Sequence, residues 1–231
     1  MKIAIDGPGG AGKSTVAKLL AKSLGMTYID TGAMYRAVAF GIISRGILIS
    51  DEAAVIAELS RMKVDIGHDS GSGEQYVRLD GEDVMSKIRT PLISLGASDV
   101  SRIPEVRLRM VELQRKIAEN RDVVMDGRDI GTFVFPGAEK KYYLTASAGE
   151  RARRRYLELR SKGDNPVYDE CLSDLIKRDE NDRSRAFAPL AIADGAIIVE
   201  TDYMTAPEVT DFLRSDIVGG ETEAGGGCNS P

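Results

Sequence analysis

The stretch Gly7-Pro8-Gly9-Gly10-Ala11-Gly12-Lys13-Ser14-Thr15 constrains this chain more than any other, because of what stands on either side of it. It fits G-x-x-x-x-G-K-[ST]; the apolar run Ile3-Ala4-Ile5 precedes it and a helix-compatible run from Val16 to Leu24 follows. That strand–loop–helix order is the context a phosphate loop needs. Glycines let the backbone curl and turn its N–H groups inward on a polyphosphate. The helix N-terminus adds partial positive charge, Lys13 adds a full one, and the Ser14 hydroxyl suits Mg²⁺. A glycine-rich turn that binds nothing is the competing reading, and both flanking elements weigh against it. The pattern predicts a nucleoside triphosphate site.

At 231 residues the chain suits one large α/β domain, or a core with a small insertion. A net charge of −5 argues against non-specific nucleic-acid binding, which needs a basic footprint. The longest apolar run, Ala37 to Ile43, is far too short to cross a bilayer, so no membrane association is expected. No signal peptide is visible, and the two cysteines, Cys171 and Cys228, fit a thiol-reducing compartment. The expected location is cytoplasmic.

Alternating patterns predict a three-layer α/β/α fold with a parallel five-stranded sheet. Strands are read at Lys2–Asp6, Thr27–Asp30, Asp122–Asp126, Lys141–Thr145 and Ala196–Glu200. Helices are read at Lys13–Leu24, Ala33–Arg45, Asp51–Leu59, Glu105–Glu119, Ala148–Lys162, Tyr168–Arg183 and Ala206–Ser215. Between about 62 and 89 the rhythm breaks: period-two alternation around Val64-Asp65-Ile66 and Tyr76-Val77-Arg78-Leu79, with an Asp80-Gly81 turn, marks a small antiparallel insertion. The domain is expected to span 1–216. The Gly-rich tail from about 217 to 231 holds too little apolar surface to offset its ordering entropy, and is expected to be disordered. The lone histidine, His68, is expected at the surface of the insertion's polar turn, without a catalytic partner.

Three further clusters bear on function. Asp30-Thr31-Gly32-Ala33-Met34-Tyr35-Arg36 closes the second strand, at the sheet end where doubly wound folds bind ligands. Thr31 and Arg36 suit a second ligand, although Asp30 or Thr31 also reads as a plain helix cap. Val123-Val124-Met125 runs into Asp126-Gly127-Arg128-Asp129, and an apolar strand ending in Asp supplies an acid near Mg²⁺, making Ser14 and Asp126 the candidate metal ligands. Arg151, Arg154 and Arg155 share one helix face, as do Arg178, Asp182 and Arg185. Two such stripes around Gly163-Asp164-Asn165-Pro166 read as a lid, at about 151–185, whose guanidinium groups neutralise a transferring phosphoryl group.

The phosphate loop, Asp30–Arg36, Asp126-Gly127-Arg128-Asp129-Ile130-Gly131-Thr132 and the run from Arg178 to Leu190 together resemble bacterial cytidylate kinases, members of the phosphate-loop nucleoside monophosphate kinases. The resemblance covers Lys2 to about Leu213. It implies ATP as phosphoryl donor, CMP and dCMP as acceptors, Mg²⁺, a mobile lid and a monomer. Carried over by motif, Thr31, Arg36, Ser98, Arg107, Arg128, Asp129, Arg178, Asp182 and Arg185 resemble the family's CMP contacts. Lys13, Arg128, Arg151, Arg155, Arg178 and Arg185 are then the candidate catalytic groups. The insertion is similar to the extra sheet of the bacterial members.

Chemistry supports the same acceptor. Cytosine sets an amine donor beside ring and carbonyl acceptors, so a carboxylate next to arginine donors complements its edge. Asp129 or Asp182 can accept, and Arg128 or Arg185 can donate. Uracil would leave buried groups unpaired, at about 1–3 kcal/mol each. A kinase for UMP or AMP is the nearest rival, followed by a regulator that binds ATP without catalysis. A GTPase would need an N-K-x-D motif, which the chain lacks.

Overall fold

The computed structural model describes residues 1–69 and 74–224, the last five as backbone only. Its frame is a sheet of five parallel strands: β1 (Lys2–Asp6), β2 (Thr27–Asp30), β6 (Val123–Asp126), β7 (Lys140–Thr145) and β8 (Ile197–Glu200), in the order β2-β6-β1-β7-β8. β1 lies between β6 and β7, with Ile5 opposite Asp126 and Tyr142. Along β1 the side chains alternate between two apolar layers, as a strand buried on both faces requires. Ile3 and Ile5 pack with Val16, Leu20 and Leu213 from α1 (Lys13–Leu24) and α8 (Ala206–Ala224). Ala4 packs the other way, with Val111 and Ala118 of α5 (Pro104–Ala118).

The remaining elements build a second core beside the sheet. These are α2 (Thr31–Ser44), α3 (Glu52–Leu59), α4 (Pro91–Val100) and a small antiparallel sheet of β3 (Val64–His68), β4 (Gln75–Leu79) and β5 (Glu82–Asp83). Met34 and Val38 of α2 share this core with Val77 and Leu79 of β4 and with Met110 of α5. Among the described residues, the insertion buries its apolar face on the host helix α2 and shares its core. Truncating a fully buried side chain such as Met110 would cost about 2–5 kcal/mol. Helices α6 (Ala148–Ser161) and α7 (Tyr168–Ser184) pack against each other as a hairpin.

The expected strands and most helices stand within two residues of their bounds. α4 is a helix that the periodicity reading missed, although Thr90 caps it by accepting from the Ile93 N–H and Pro91 occupies its first turn. Residues Ile130–Val134 form a single π-helical turn, which no apolar period signals. α8 runs on to Ala224, past the expected end at Ser215 and into the segment expected to be disordered. Ile217 is buried against the α1 face and gives the helix a reason to continue. The rest of the tail, residues 225–231, lies outside the described residues, as does Cys228. His68 is also a correction: it ends β3 and is half-buried, its Nε2 2.7 Å from the Tyr28 carbonyl oxygen.

Candidate active site

The phosphate loop is shaped by how closely it passes β7. Gly7 has φ +142°, and a Cβ there would stand 2.0 Å from the Leu144 carbonyl oxygen. Only glycine fits that approach. The loop then turns at Gly10 and Gly12, both at positive φ, and Gly12 caps α1. Lys13 is buried and folds back so that its Nζ donates to the Pro8 carbonyl at 2.7 Å. Burial, then the nearby Arg128 charge, holds its ammonium well below the usual lysine range. A polyanion beside it would favour the charged form.

Strands β1, β2 and β6 all end in aspartate, and their carboxyl ends meet at the loop. Asp126 accepts from Ser14 Oγ at 2.7 Å on one oxygen and from the Tyr28 hydroxyl at 2.8 Å on the other. Burial, then the Asp30 carboxylate, pushes Asp126 up. A buried carboxylate with a hydroxyl partner is an oxygen donor set that suits Mg²⁺, which takes one or two protein ligands and fills its octahedron with water and phosphate. Asp6 points the other way and anchors the segment after β6, accepting from the Ile130 and Gly131 N–H groups at 2.8 and 2.7 Å.

Across a cleft of about 720 Å³ stands a wall of arginines and acids. Arg107 of α5 is almost wholly buried and ion-paired with Asp129. Arg128 Nε donates to Asp182 Oδ2 at 2.7 Å, and Arg185 NH1 donates to Ser101 Oγ at 3.1 Å. Arg36 NH2 lies 2.9 Å from Asp30 Oδ2. Burial would raise the Asp182 carboxyl, but Arg128 and Arg185 outweigh it and hold it low. Arg178 is pushed down to about 10, by burial first and then by Arg128. Arg185 is lowered by burial and then by Arg107.

This wall carries more positive charge than its own acids neutralise. It also holds buried polar atoms without partners: Arg36 Nε, Ser98 Oγ, Arg107 Nε, Arg178 Nε, and Nε and NH2 of Arg185. Buried polar groups are almost always satisfied, so a cluster of orphans around one cavity calls for a polar, anionic ligand.

Of the residues singled out in the sequence, Gly9, Gly10, Gly12, Lys13, Ser14, Thr15, Thr31, Arg36, Ser98, Arg107, Asp126, Arg128, Asp129, Arg155, Arg178, Asp182 and Arg185 line this one cleft. Gly7, Pro8 and Ala11 shape the loop behind it; the Ala11 carbonyl accepts from Thr201 Oγ1 at 3.3 Å. Thr31 Oγ1 is spent on the Asp126 carbonyl at 2.7 Å. Arg151 is placed differently from the expectation of a lid cation at the transferring group. Its guanidinium donates to the Gly9 and Ala146 carbonyls and pairs with Asp179 at 2.7 Å, bracing the phosphate loop from behind. Arg155 lines the cleft while donating to Glu158.

Arg154 of the lid stripe also lines the cleft, as do Arg89 and Ser101. Arg154 shared a face with Arg151 and Arg155 in the sequence, and its anchors, Glu150 and Thr201, explain its aim. No local pattern marks Arg89 or Ser101.

A parallel sheet whose first strand feeds a phosphate loop, faced by an arginine-rich second wall, defines the class of phosphate-loop kinases. The comparisons narrow the class. A family model described as cytidylate kinase matches residues 3–217. A curated cytidylate kinase of Caldanaerobacter subterraneus subsp. tengcongensis is 56% identical over 217 residues, covering 94% of each chain. One from Caldicellulosiruptor bescii is 50% identical over 209 residues, covering 90% of this chain and 92% of that one. A solved structure of an uncharacterized protein from Eubacterium ventriosum, 14% identical, matches 95% of this chain and 98% of its own with a TM-score of 0.50, and bears on the fold alone. The chain belongs to the cytidylate kinase family.

Proposed function

We propose that the protein transfers the γ-phosphoryl group of ATP to CMP and dCMP, giving ADP and the cytidine diphosphates. The observation that carries this reading is the cluster of unpartnered guanidinium and hydroxyl groups facing the phosphate loop across a single cleft. ATP would lie with its β- and γ-phosphates on the loop amides and Lys13. The acceptor would lie on the opposite wall, its phosphate on Arg36, Arg128 and Arg178.

The base edge has matching partners. The exocyclic amine of cytosine donates to a carboxylate, and Asp129 is suited: Arg107 engages Oδ2, while Oδ1 has no donor among the described residues. Ser98 and Arg185 offer donors to the ring nitrogen and carbonyl. Because dCMP presents the same base edge and phosphate, it fits the same contacts.

The transfer needs no strong base, since the attacking phosphate oxygen is already anionic. The acceptor oxygen attacks the γ-phosphorus in line, the bond to the bridging oxygen breaks, and ADP leaves with that oxygen. Lys13, Arg128 and Arg178 would neutralise the charge spread over the transferring group, with Arg155 also lining the cleft. Ser14 and Asp126 would hold Mg²⁺, which when bound neutralises the β- and γ-phosphate oxygens. The α6–α7 hairpin would act as the lid, excluding the water that would otherwise take the phosphoryl group.

A quenched reaction with γ-labelled ATP and CMP tests this directly. The label should appear in the β-phosphate of CDP, and Lys13→Ala should slow its appearance by about 10²–10³, the usual cost of one such electrostatic donor. Label released only as inorganic phosphate would reject the reading.

A further inference from the structure

We propose that His68 and Gln75, one cross-strand pair of the inserted sheet, are positioning residues: they close the free edge of β2 and thereby set the acceptor wall. β2 stands at the end of the five-stranded sheet, paired with β6 on one side only. Its outward-facing backbone groups need partners, since an open strand edge is exposed to water and to unwanted pairing. Among the described residues no strand supplies them. Two side chains do.

The N–H and C=O of a strand residue point to the same side, and the side alternates along the chain. Tyr28 and Asp30 therefore share the edge facing away from β6. His68 Nε2 lies 2.7 Å from the Tyr28 carbonyl oxygen. A carbonyl only accepts, so Nε2 carries the proton. The Asp30 N–H donates to Gln75 Oε1 at 2.7 Å, and Gln75 Nε2 donates to the Asp30 carbonyl at 3.2 Å. The primary amide of Gln75 thus offers one donor and one acceptor, as the backbone of a neighbouring strand would. His68 and Gln75 are directly opposite in the β3–β4 register, so both side chains rise from one face of the inserted sheet.

The two residues held in this way are each attached to the site. Asp30 caps α2 by accepting from the Ala33 N–H at 2.9 Å, and its other oxygen holds Arg36. Arg89, at the end of the insertion, lies 4.0 Å from the same carboxylate. Tyr28 donates its hydroxyl to Asp126 at 2.8 Å. Gln75 therefore fixes the residue that aims Arg36 into the acceptor side, and His68 fixes the residue that steadies Asp126. This inference rests on the acceptor reading given above, and it assigns the insertion a task in that reading beyond adding bulk.

The test uses the full chain with Gln75→Ala and Gln75→Glu. Without ligand, exchange of the Asp30 amide hydrogen should quicken at least tenfold in Gln75→Ala. It should quicken less in Gln75→Glu, which keeps an acceptor for the Asp30 N–H but loses the donor to the Asp30 carbonyl. In steady state, Gln75→Ala should raise KM for CMP about five- to tenfold, the usual worth of one or two hydrogen bonds, with KM for ATP changed less than twofold. An unchanged Asp30 exchange rate, an unchanged KM for CMP, or equal rises in both KM values would overturn the proposal. If the unmodified protein showed no CMP-dependent turnover, the acceptor reading would fall. Amide exchange alone would then still decide whether Gln75 holds Asp30.

Discussion

Arg128, on the segment after β6, donates its Nε to Asp182 of α7 at 2.7 Å, and this bond joins the sheet to the helical hairpin. Both groups face the cavity in which ATP and its acceptor are proposed to meet. Under the proposed function, with α6–α7 as the lid, this pair would link acceptor recognition to closure of the hairpin.

Asp182→Asn should weaken acceptor use more than ATP use. It removes the charge that orients Arg128 and stands 3.7 Å from Arg185, while the phosphate loop is untouched. A lost charged hydrogen bond is worth about 1.5–3 kcal/mol, which corresponds to a rise of about 10–150-fold in KM for CMP. Steady-state titration of each substrate against a saturating partner measures it. Equal effects on both KM values would contradict the placement.

Asp129→Ala should cost stability as well as activity. Arg107 is 1% exposed and Asp129 is its ion-pair partner, so the truncation leaves a guanidinium buried without a counter-charge. Breaking such a pair costs about 3–5 kcal/mol. A fall in the urea midpoint, absent in a control substitution at exposed Leu48, would show it.

The phosphate loop, Asp30–Arg36 and Asp126–Asp129 were legible because each stands at the end of a strand, where local sequence fixes geometry. Lys13, Ser14, Asp126 and Arg128 follow apolar runs that leave little choice of structure. What could not be read is how helices rotate against their neighbours. Arg151 and Arg155 share a helix face by spacing, yet one turns to the Gly9 carbonyl and the other to Glu158 and the cleft. Packing of α6 against the phosphate loop decides that, and no period encodes it. His68 was missed for a related reason: its partner is the backbone of β2, 40 residues away, and a carbonyl has no sequence signature. α4 was missed because its buried face, Ile93, Gly96, Ala97 and Val100, is half made of small residues that give a weak apolar signal, although its cap and first-turn proline were present in the sequence.

Asp6 predicts a pH dependence of stability. Burial raises its carboxyl from 3.8 to about 6, outweighing the Gly131 and Ile130 N–H donors that lower it. An acid whose folded pKa lies above its unfolded value holds its proton more tightly in the native state. Its contribution is full below about pH 4 and is lost as pH rises towards 6. The loss is about 3 kcal/mol once pH exceeds the folded pKa. Urea unfolding between pH 4 and 7 should show the unmodified protein losing stability relative to Asp6→Asn by about this amount. A difference that stays flat across that window would contradict the shift.

The central claim is that one cleft grips a triphosphate on loop amides and reads a cytosine on a carboxylate and arginine wall. ADP release coupled to each nucleoside monophosphate tests it most directly. CMP and dCMP should support rapid release, and kcat/KM for UMP and AMP should be lower by at least about tenfold, the cost of leaving one buried group unpaired. Release that proceeds equally well with UMP or AMP, or without any acceptor, would contradict the account.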